Sequence, residues 1–302
     1  STVGTITNSG TISGSAGTDT AVGIFISDAS SVGTITNSGL ITTTVGDDDA
    51  FGIRVEEDST VGTITNSGTI TASAADSTAI GILVDTRSTV DTITNSGLIT
   101  TTAVEDDAVG ILVDTNSIVD NIDNTGTISV TAGIEEATGI LLESSSTITT
   151  LTNSGLIEAI SLGADANGID MQDDDATGIN TITTLTNTGT ISGSAAVSIG
   201  RGVNLDERSL IISLDNQGLI QGAAGATFGR GVRLTSASSI TTLTNSGTIN
   251  ALAKTDARGM HIDSGSSIGT LNNSGTISAL ATSETAYGIH ITDASSSITT
   301  LT

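Results

Sequence analysis

The sequence predicts an all-β chain, a parallel β-helix (β-solenoid) coiled to the right, with three short strands per rung and about ten rungs of 29 residues. Three observations predict it. A phrase of Asn, then Ser, Thr or Gln, then Gly, then Thr or Leu, then Ile stands at Asn8, Asn37, Asn66, Asn95, Asn124, Asn153, Asn187, Asn216, Asn245 and Asn273. Successive copies are 29 residues apart, save a 34-residue step after Asn153 and a 28-residue step after Asn245. A period of that size marks a stacked array in which each unit contacts mainly its neighbours. The apolar residues alternate with a period of two inside each copy, and no helical period accompanies them.

The first strand of each rung carries Val or Ile five residues before the Asn and Ile or Leu two before it, as in Val61 and Ile64. The second carries Ile four residues after the Asn, from Ile12 to Ile277. A third opens near a columnar Gly such as Gly52 or Gly231 and continues in alternating aliphatics, Ile24 and Ile26 or Val232 and Leu234. Polar turns separate the three. One such unit cannot bury its apolar face alone, whereas stacked coils pair every strand in parallel and close a continuous interior. At about 4.8 Å per rung the result is a rod of roughly 50 Å.

The Asn shares parity with the Ile two before it and the Ile four after it, so it points inward or into a corner. A column of amides donates and accepts along the axis, satisfying groups that would be costly to bury unpaired. All ten repeated Asn are therefore assigned to a structural ladder. The Gly two residues later supplies a backbone angle or a close approach.

Residues 1–302 read as one continuous solenoid, a segment or protomer of a longer array, with a loop insertion near 172–178. With no Pro and four aromatic residues, the core must be built from Ile, Val, Leu and Ala. From the sixth rung its first column changes from Val to Ile, as at Ile148, and its second from Ile to Leu, as at Leu151. The 33 acidic residues against 8 basic give a net charge of −25, which repels nucleic-acid backbones and anionic lipid headgroups. No nucleic acid is expected as a partner, nor membrane insertion by this segment. Absence of cysteine excludes disulfides and thiolate metal sites.

Acidic residues gather on one turn of consecutive rungs, including Asp47, Asp48 and Asp49, and Glu105, Asp106 and Asp107. Asp173, Asp174 and Asp175 occupy the insertion. Stacked carboxylates repel one another, and a hard oxygen-seeking cation such as Ca²⁺ would relieve that; a solvated, charged loop face is the other reading. No further cofactor is required. A second acidic column is read at Asp28, Glu57, Asp85, Asp114 and Glu143.

Arg201, Arg230 and Arg258 each precede the columnar Gly on successive rungs, where they would bind a glycan carboxylate or a neighbouring acidic turn, or pair locally with Asp206, Glu207 or Asp256. His261 and His290 match on adjacent rungs beside Arg233 and read as exposed surface, while Leu83, Leu112 and Leu141 read as an outward apolar stripe. Outward Thr pairs such as Thr63 and Thr65 make a two-rank array of the kind an ice binder would use, interrupted at Asn121, Asp123, Ser213, Asp215 and Asn272. The sequence holds no nucleophile motif and no phosphate loop, and it lacks the sugar-stacking aromatics a polysaccharidase cleft needs, so no enzyme is expected.

The phrase T-I-T-N-S-G-T-I at Thr5–Ile12 and Thr63–Ile70, with G-I-x-V closing a rung, resembles the passenger repeats of bacterial autotransporter-type surface proteins along the whole chain. That resemblance implies a right-handed β-helix displayed at or released from the bacterial surface, serving adhesion, aggregation or matrix. The expectation is a non-enzymatic extracellular rod or filament, or the stalk of an adhesin whose binding region lies elsewhere. Its partners would be copies of itself stacked end to end, a continuing repeat array, or glycans of a host or neighbouring cell.

Overall fold

The computed structural model describes residues 1–172 and 178–302. The first rung consists of β1 (Thr2–Asn8), β2 (Thr11–Ala16) and β3 (Ala21–Ile26). Every later rung repeats this order, so the strands sort into three parallel sheets. Sheet A collects the β1 equivalents in 11 strands, and sheets B and C collect the β2 and β3 equivalents in 10 each. Each strand pairs with its counterpart one rung away in repeat register, Asn8 on Asn37, Ile41 on Ile70 and Ile53 on Ile82. The predicted parallel solenoid, with three strands per rung, is the observed fold. Rungs are numbered below by their Asn, from rung 1 (Asn8) to rung 10 (Asn273).

The interior is a stack of aliphatic columns. Ile41, Ile53 and Val61 lie in one continuous core with Ile249, Ile262 and Ile268, all of them sealed from solvent. Above rung 5 sheet A carries the larger Ile182 in place of Val61 and the isomeric Leu185 in place of Ile64. Sheet B answers in rungs 7 and 8 with Gly193 and Gly222, where an added Cβ would run into the carbonyl oxygens of Arg201 and Arg230. In those two rungs sheets B and C approach more closely than any side chain on sheet B would allow.

Glycine is required on sheet C for the same kind of reason. A Cβ on Gly81 would sit 2.5 Å from Ile99 Cγ2 and 2.6 Å from the Gly110 carbonyl oxygen. The chain bends there, so that Ile82 turns into the core while Ile80 and Leu83 both face outward. In the Asn-x-Gly turn, close approach is again the cause: Cβ on Gly39 would meet the Gly10 carbonyl, and no positive φ is involved.

The turn from sheet C to sheet A uses two successive left-handed residues that are not glycine, for example Thr115 (φ 46°) and Asn116 (φ 58°). A serine follows them. Ser59, Ser88, Ser117 and Ser146 are buried, and each hydroxyl accepts from the backbone N–H of the serine one rung before it, at 3.1–3.2 Å. This second ladder escaped the sequence reading, although serine stands seven residues before the Asn in nine rungs, from Ser1 to Ser266. The exception is Asn180, directly after the insertion, whose longer side chain accepts from Ser146 N–H at 2.9 Å and donates to the Gln172 carbonyl.

Candidate functional site

The ten Asn do form the expected ladder. Asn124 donates from Nδ2 to Asn153 Oδ1 at 2.8 Å and to the Leu156 carbonyl at 3.1 Å, and it accepts from Asn95 at 2.8 Å. The chain of amides crosses the insertion without a break, Asn153 to Asn187 at 2.9 Å, and reaches Asn273. It lies at the corner between sheets A and B and faces the core, so it offers no surface to a ligand.

The outer face of sheet C is where chemistry concentrates. Two columns of side chains point outward beside the glycine bend. The first runs Val22, Phe51, Ile80, Val109, Thr138, Asn167, Arg201, Arg230, Arg258, Tyr287. The second runs from Phe25 and Arg54 through Leu83, Leu112, Leu141, Asp170, Asn204 and Arg233 to His261 and His290. Because the bend brings the two columns together, these outward residues are largely covered.

In rungs 2–5 the floor is apolar. Phe51, Ile80, Leu83, Val109, Leu112 and Leu141 pack as a cluster of their own, each no more than 8% exposed. Leu83, Leu112 and Leu141 are thus outward, as expected, but line a trough and not a bare stripe. The trough encloses about 390 Å³, with Asp49, Asp107 and Glu136 on one wall and Asp85, Asp114 and Glu143 on the other. Register corrects the second acidic column: Glu56, Asp85, Asp114 and Glu143 align, while Glu57 and Asp28 lie one residue further, inside the left-handed turn.

The acidic turns make specific contacts. Asp48 accepts from Thr20 Oγ1 (3.0 Å) and from Asp49 N–H (2.8 Å), and these bonds hold its carboxyl below the usual range. Asp49 accepts from Ser77 Oγ at 2.6 Å, Asp106 from Asp107 N–H at 2.8 Å, and Asp107 from Glu136 N–H at 2.8 Å. Burial, followed by the charges of Asp106 and Glu135, raises Asp107. Among the described residues no three His, Cys, Asp or Glu converge as a metal-holding group. Asp47 and Glu105 belong to the same turns, and Asp173, Asp174 and Asp175 lie outside the described residues.

From rung 6 upward the same columns become polar and then ionic. Asn167 donates to Glu136 and, at 2.7 Å, to Asp170 Oδ2, while Asn204 donates to Asp170 Oδ1 at 2.8 Å. Burial, with the Asp170 charge second, pushes Glu136 up to about 8; burial also raises Asp170. Arg201 pairs with Asp165 at 2.9 Å, Arg233 with Asp206 at 3.5 Å and Arg258 with Asp256 at 2.7 Å. Local pairing therefore accounts for Arg201 and Arg258. Among the described residues Arg230 has no ion pair; it lies over the Phe228 ring at 5.5 Å, and burial followed by Arg233, Arg201 and Arg258 lowers it to about 9.

The reading of the histidines as exposed surface is overturned for His261, which is 3% exposed. It stacks on His290 at 5.6 Å and meets Arg258 Nη1 at 2.6 Å. Burial and the neighbouring arginines, Arg258 first, hold it neutral with a pKa of about 3. The histidines sit in the bent trough, whose depth alternation alone does not reveal. On sheet A, Thr63 and Thr65 pair with Thr92 and Thr94 in the two outward ranks that the sequence indicated.

No protein-family model matches the chain, and neither a curated protein nor a solved structure shows significant similarity to it.

Proposed function

We propose that this chain is a non-enzymatic structural rod that acts outside the cell, as a stalk or filament segment in surface display, adhesion, aggregation or matrix. The unbroken Asn ladder, in register from Asn8 to Asn273 and uninterrupted at the insertion, supports this reading. Repetition of one satisfied contact along the whole axis makes a stiff, quasi-one-dimensional body, which suits holding things apart better than enclosing a substrate. The autotransporter-like phrase favours the bacterial surface as its location. Copies stacked along the axis, or further rungs of the same array, would be its natural partners, with Ca²⁺ bound at the acidic turns as the candidate cofactor.

Electron microscopy of the purified chain with added calcium and with chelator tests this. Fibres one rod wide are expected of a filament subunit, and their loss in chelator would assign the acidic turns a role in assembly. Discrete straight rods under both conditions are expected of a stalk. Compact or collapsed particles would reject the rod altogether.

A further inference from the structure

The trough on the forward half of sheet C encloses about 390 Å³, and the fold does not require its lining. The floor is Phe51, Ile80, Leu83, Val109, Leu112 and Leu141, all on the outward columns. Further along those two columns stand Arg201, Asn204, Arg230 and Arg233, on the same backbone and over the same interior. A contiguous apolar floor on an outer face, in a chain that carries charge at the same positions elsewhere, marks a contact surface.

The walls say what kind of occupant it suits. Each of rungs 2–5 supplies at least one carboxylate to them: Asp49, then Asp85, then Asp107 and Asp114, then Glu136 and Glu143. Among the described residues the lining holds one cation, Arg54, which donates to Glu56 at 2.6 Å and lies over the Phe51 ring. Asp49, Asp85, Asp107 and Asp114 form no ion pair among the described residues. Burial, with neighbouring carboxylates adding to it, raises Asp107 and Glu136. The trough is apolar below, acidic on both sides and short of positive charge.

We propose that this trough binds a linear polyamine, laid along the rod axis with its methylenes over the apolar floor and its ammonium groups against the two acidic walls. Carboxylates recur rung by rung, about 4.8 Å apart along the axis. Ammonium groups joined by three or four methylenes, with bonds of about 1.5 Å, stand about 5–6 Å apart when extended. Four rungs therefore match a tetraamine. Other cations fit worse. Among the described residues no three carboxylates converge as a metal-holding group, so a single divalent ion would meet too few oxygens. An extended peptide would lay N–H and C=O groups on a floor that offers them no partner, because the backbone of sheet C is already paired in its own ladder. The floor side chains are only 4–8% exposed, which favours a slender chain over a ring. The site does not depend on whether the rod is a stalk or a filament.

The test is calorimetric titration and thermal unfolding of the whole chain with spermine at physiological salt, where a Debye length of about 8 Å screens the diffuse attraction of a polyanionic rod. Mg²⁺ probes charge without a chain, and putrescine probes length. Asp107→Asn with Asp114→Asn removes one carboxylate from each wall of rung 4, and Asp91→Asn with Asp120→Asn removes the same charge from exposed positions on sheet A. Wild type is expected to bind one spermine per chain, with a saturable rise in Tm. The rung 4 pair should bind at least about tenfold more weakly, through the loss of two charge-assisted contacts, while the sheet A pair should bind as wild type does. Asparagine keeps an oxygen to accept from Glu136 and Thr115 N–H, so the rung 4 variant should fold; Asp49→Asn with Asp85→Asn repeats the test on rungs 2 and 3. Unchanged binding by both trough pairs, or equal weakening by the sheet A pair, overturns the proposal. Mg²⁺ or putrescine binding as tightly as spermine, or many equivalent spermine sites per chain, would do the same and leave only a counter-ion cloud around a net charge of −25.

Discussion

The two halves of sheet C share a backbone and differ in everything they show to the outside. Ile80 and Leu83 in rung 3 occupy the columns that Arg230 and Arg233 occupy in rung 8, and both pairs flank a glycine whose Cβ would collide with the next rung. Inside, the same positions hold Ile82 and Val232, fully buried in one core. The interior of a solenoid is therefore constrained equally along its length, because every rung must accept the next. Its outer face is free to change chemistry from rung to rung, and here it changes from an apolar floor to an ionic one at Glu136, Asn167 and Asp170.

That contrast is sharpest where a substitution attacks the shared interior. Gly81→Ala in the apolar half and Gly202→Ala in the ionic half would each place a Cβ 2.5–2.6 Å from an Ile methyl and a carbonyl oxygen of fixed backbone. Each should cost about 3 kcal/mol, the upper part of the range for overpacking, and the two values should agree within their errors in denaturant melts. A cost confined to one half would break the claim of a uniform interior.

The ionic half should also write itself into the pH dependence. Glu136, with its pKa raised to about 8 from an ordinary 4.5, is protonated in the fold, so its contribution is present below 4.5 and lost as pH rises through 8. His261, held near 3 from an ordinary 6.5, acts in the opposite sense, since its contribution is present above 6.5 and lost as pH falls toward 3. Between 4.5 and 6.5 the two slopes oppose each other. From pH 6.5 to 8 the His261 contribution is complete and the Glu136–Asp170 pair, both raised by burial, sets the slope, so stability should fall by about 2 kcal/mol, one proton's worth over that window. Urea midpoints measured across pH 5–8.5 should show a steeper decline above 6.5 than below it. Glu136→Gln should flatten the decline, and a wild-type profile rising from 6.5 to 8 would contradict the buried acid.

Much of this was legible in the residues. Strand number, sheet register and the Asn ladder follow from a period repeated ten times, because a stack leaves each inward side chain one possible partner, its own copy. Leu83 and Arg230 could likewise be placed on an outer column. What the residues did not reveal was depth. The glycine bend folds the face of sheet C on itself, so His261 is covered although alternation marks it as outward. The serine ladder was visible as a column and was passed over because serine in a turn needs no explanation; burial gave it one.

On the outer face itself the halves should respond differently. Leu112→Ala should cost about 2 kcal/mol through lost apolar burial alone, with no dependence on salt. Arg258→Leu removes the partner of Asp256, at 2.7 Å in a partly buried pair, and a contact to His261. Its cost should be of similar size, about 2 kcal/mol, but it should shrink when Asp256→Asn is added. A double-mutant cycle reads the difference: strong coupling on the ionic face, and none between Leu112 and the acids at its rim.

The smallest effect returns to something the halves share. Thr115 in the forward half and Ser236 in the rear half both hold a left-handed backbone, at φ 46° and 54°. That conformation costs L-residues about 1–2 kcal/mol, least for Asn, and a β-branched side chain tolerates it worst. Thr115→Asn should therefore stabilise by about 0.5 kcal/mol, and Ser236→Asn by less, because serine has only one substituent on Cβ to crowd the carbonyl. Both changes lie on the solvent-facing turn, away from the core and the trough. Equal gains at the two sites would show that the turn's strain resides in the backbone alone, and a loss at Thr115 would show that its side chain holds a contact worth more than the strain it carries.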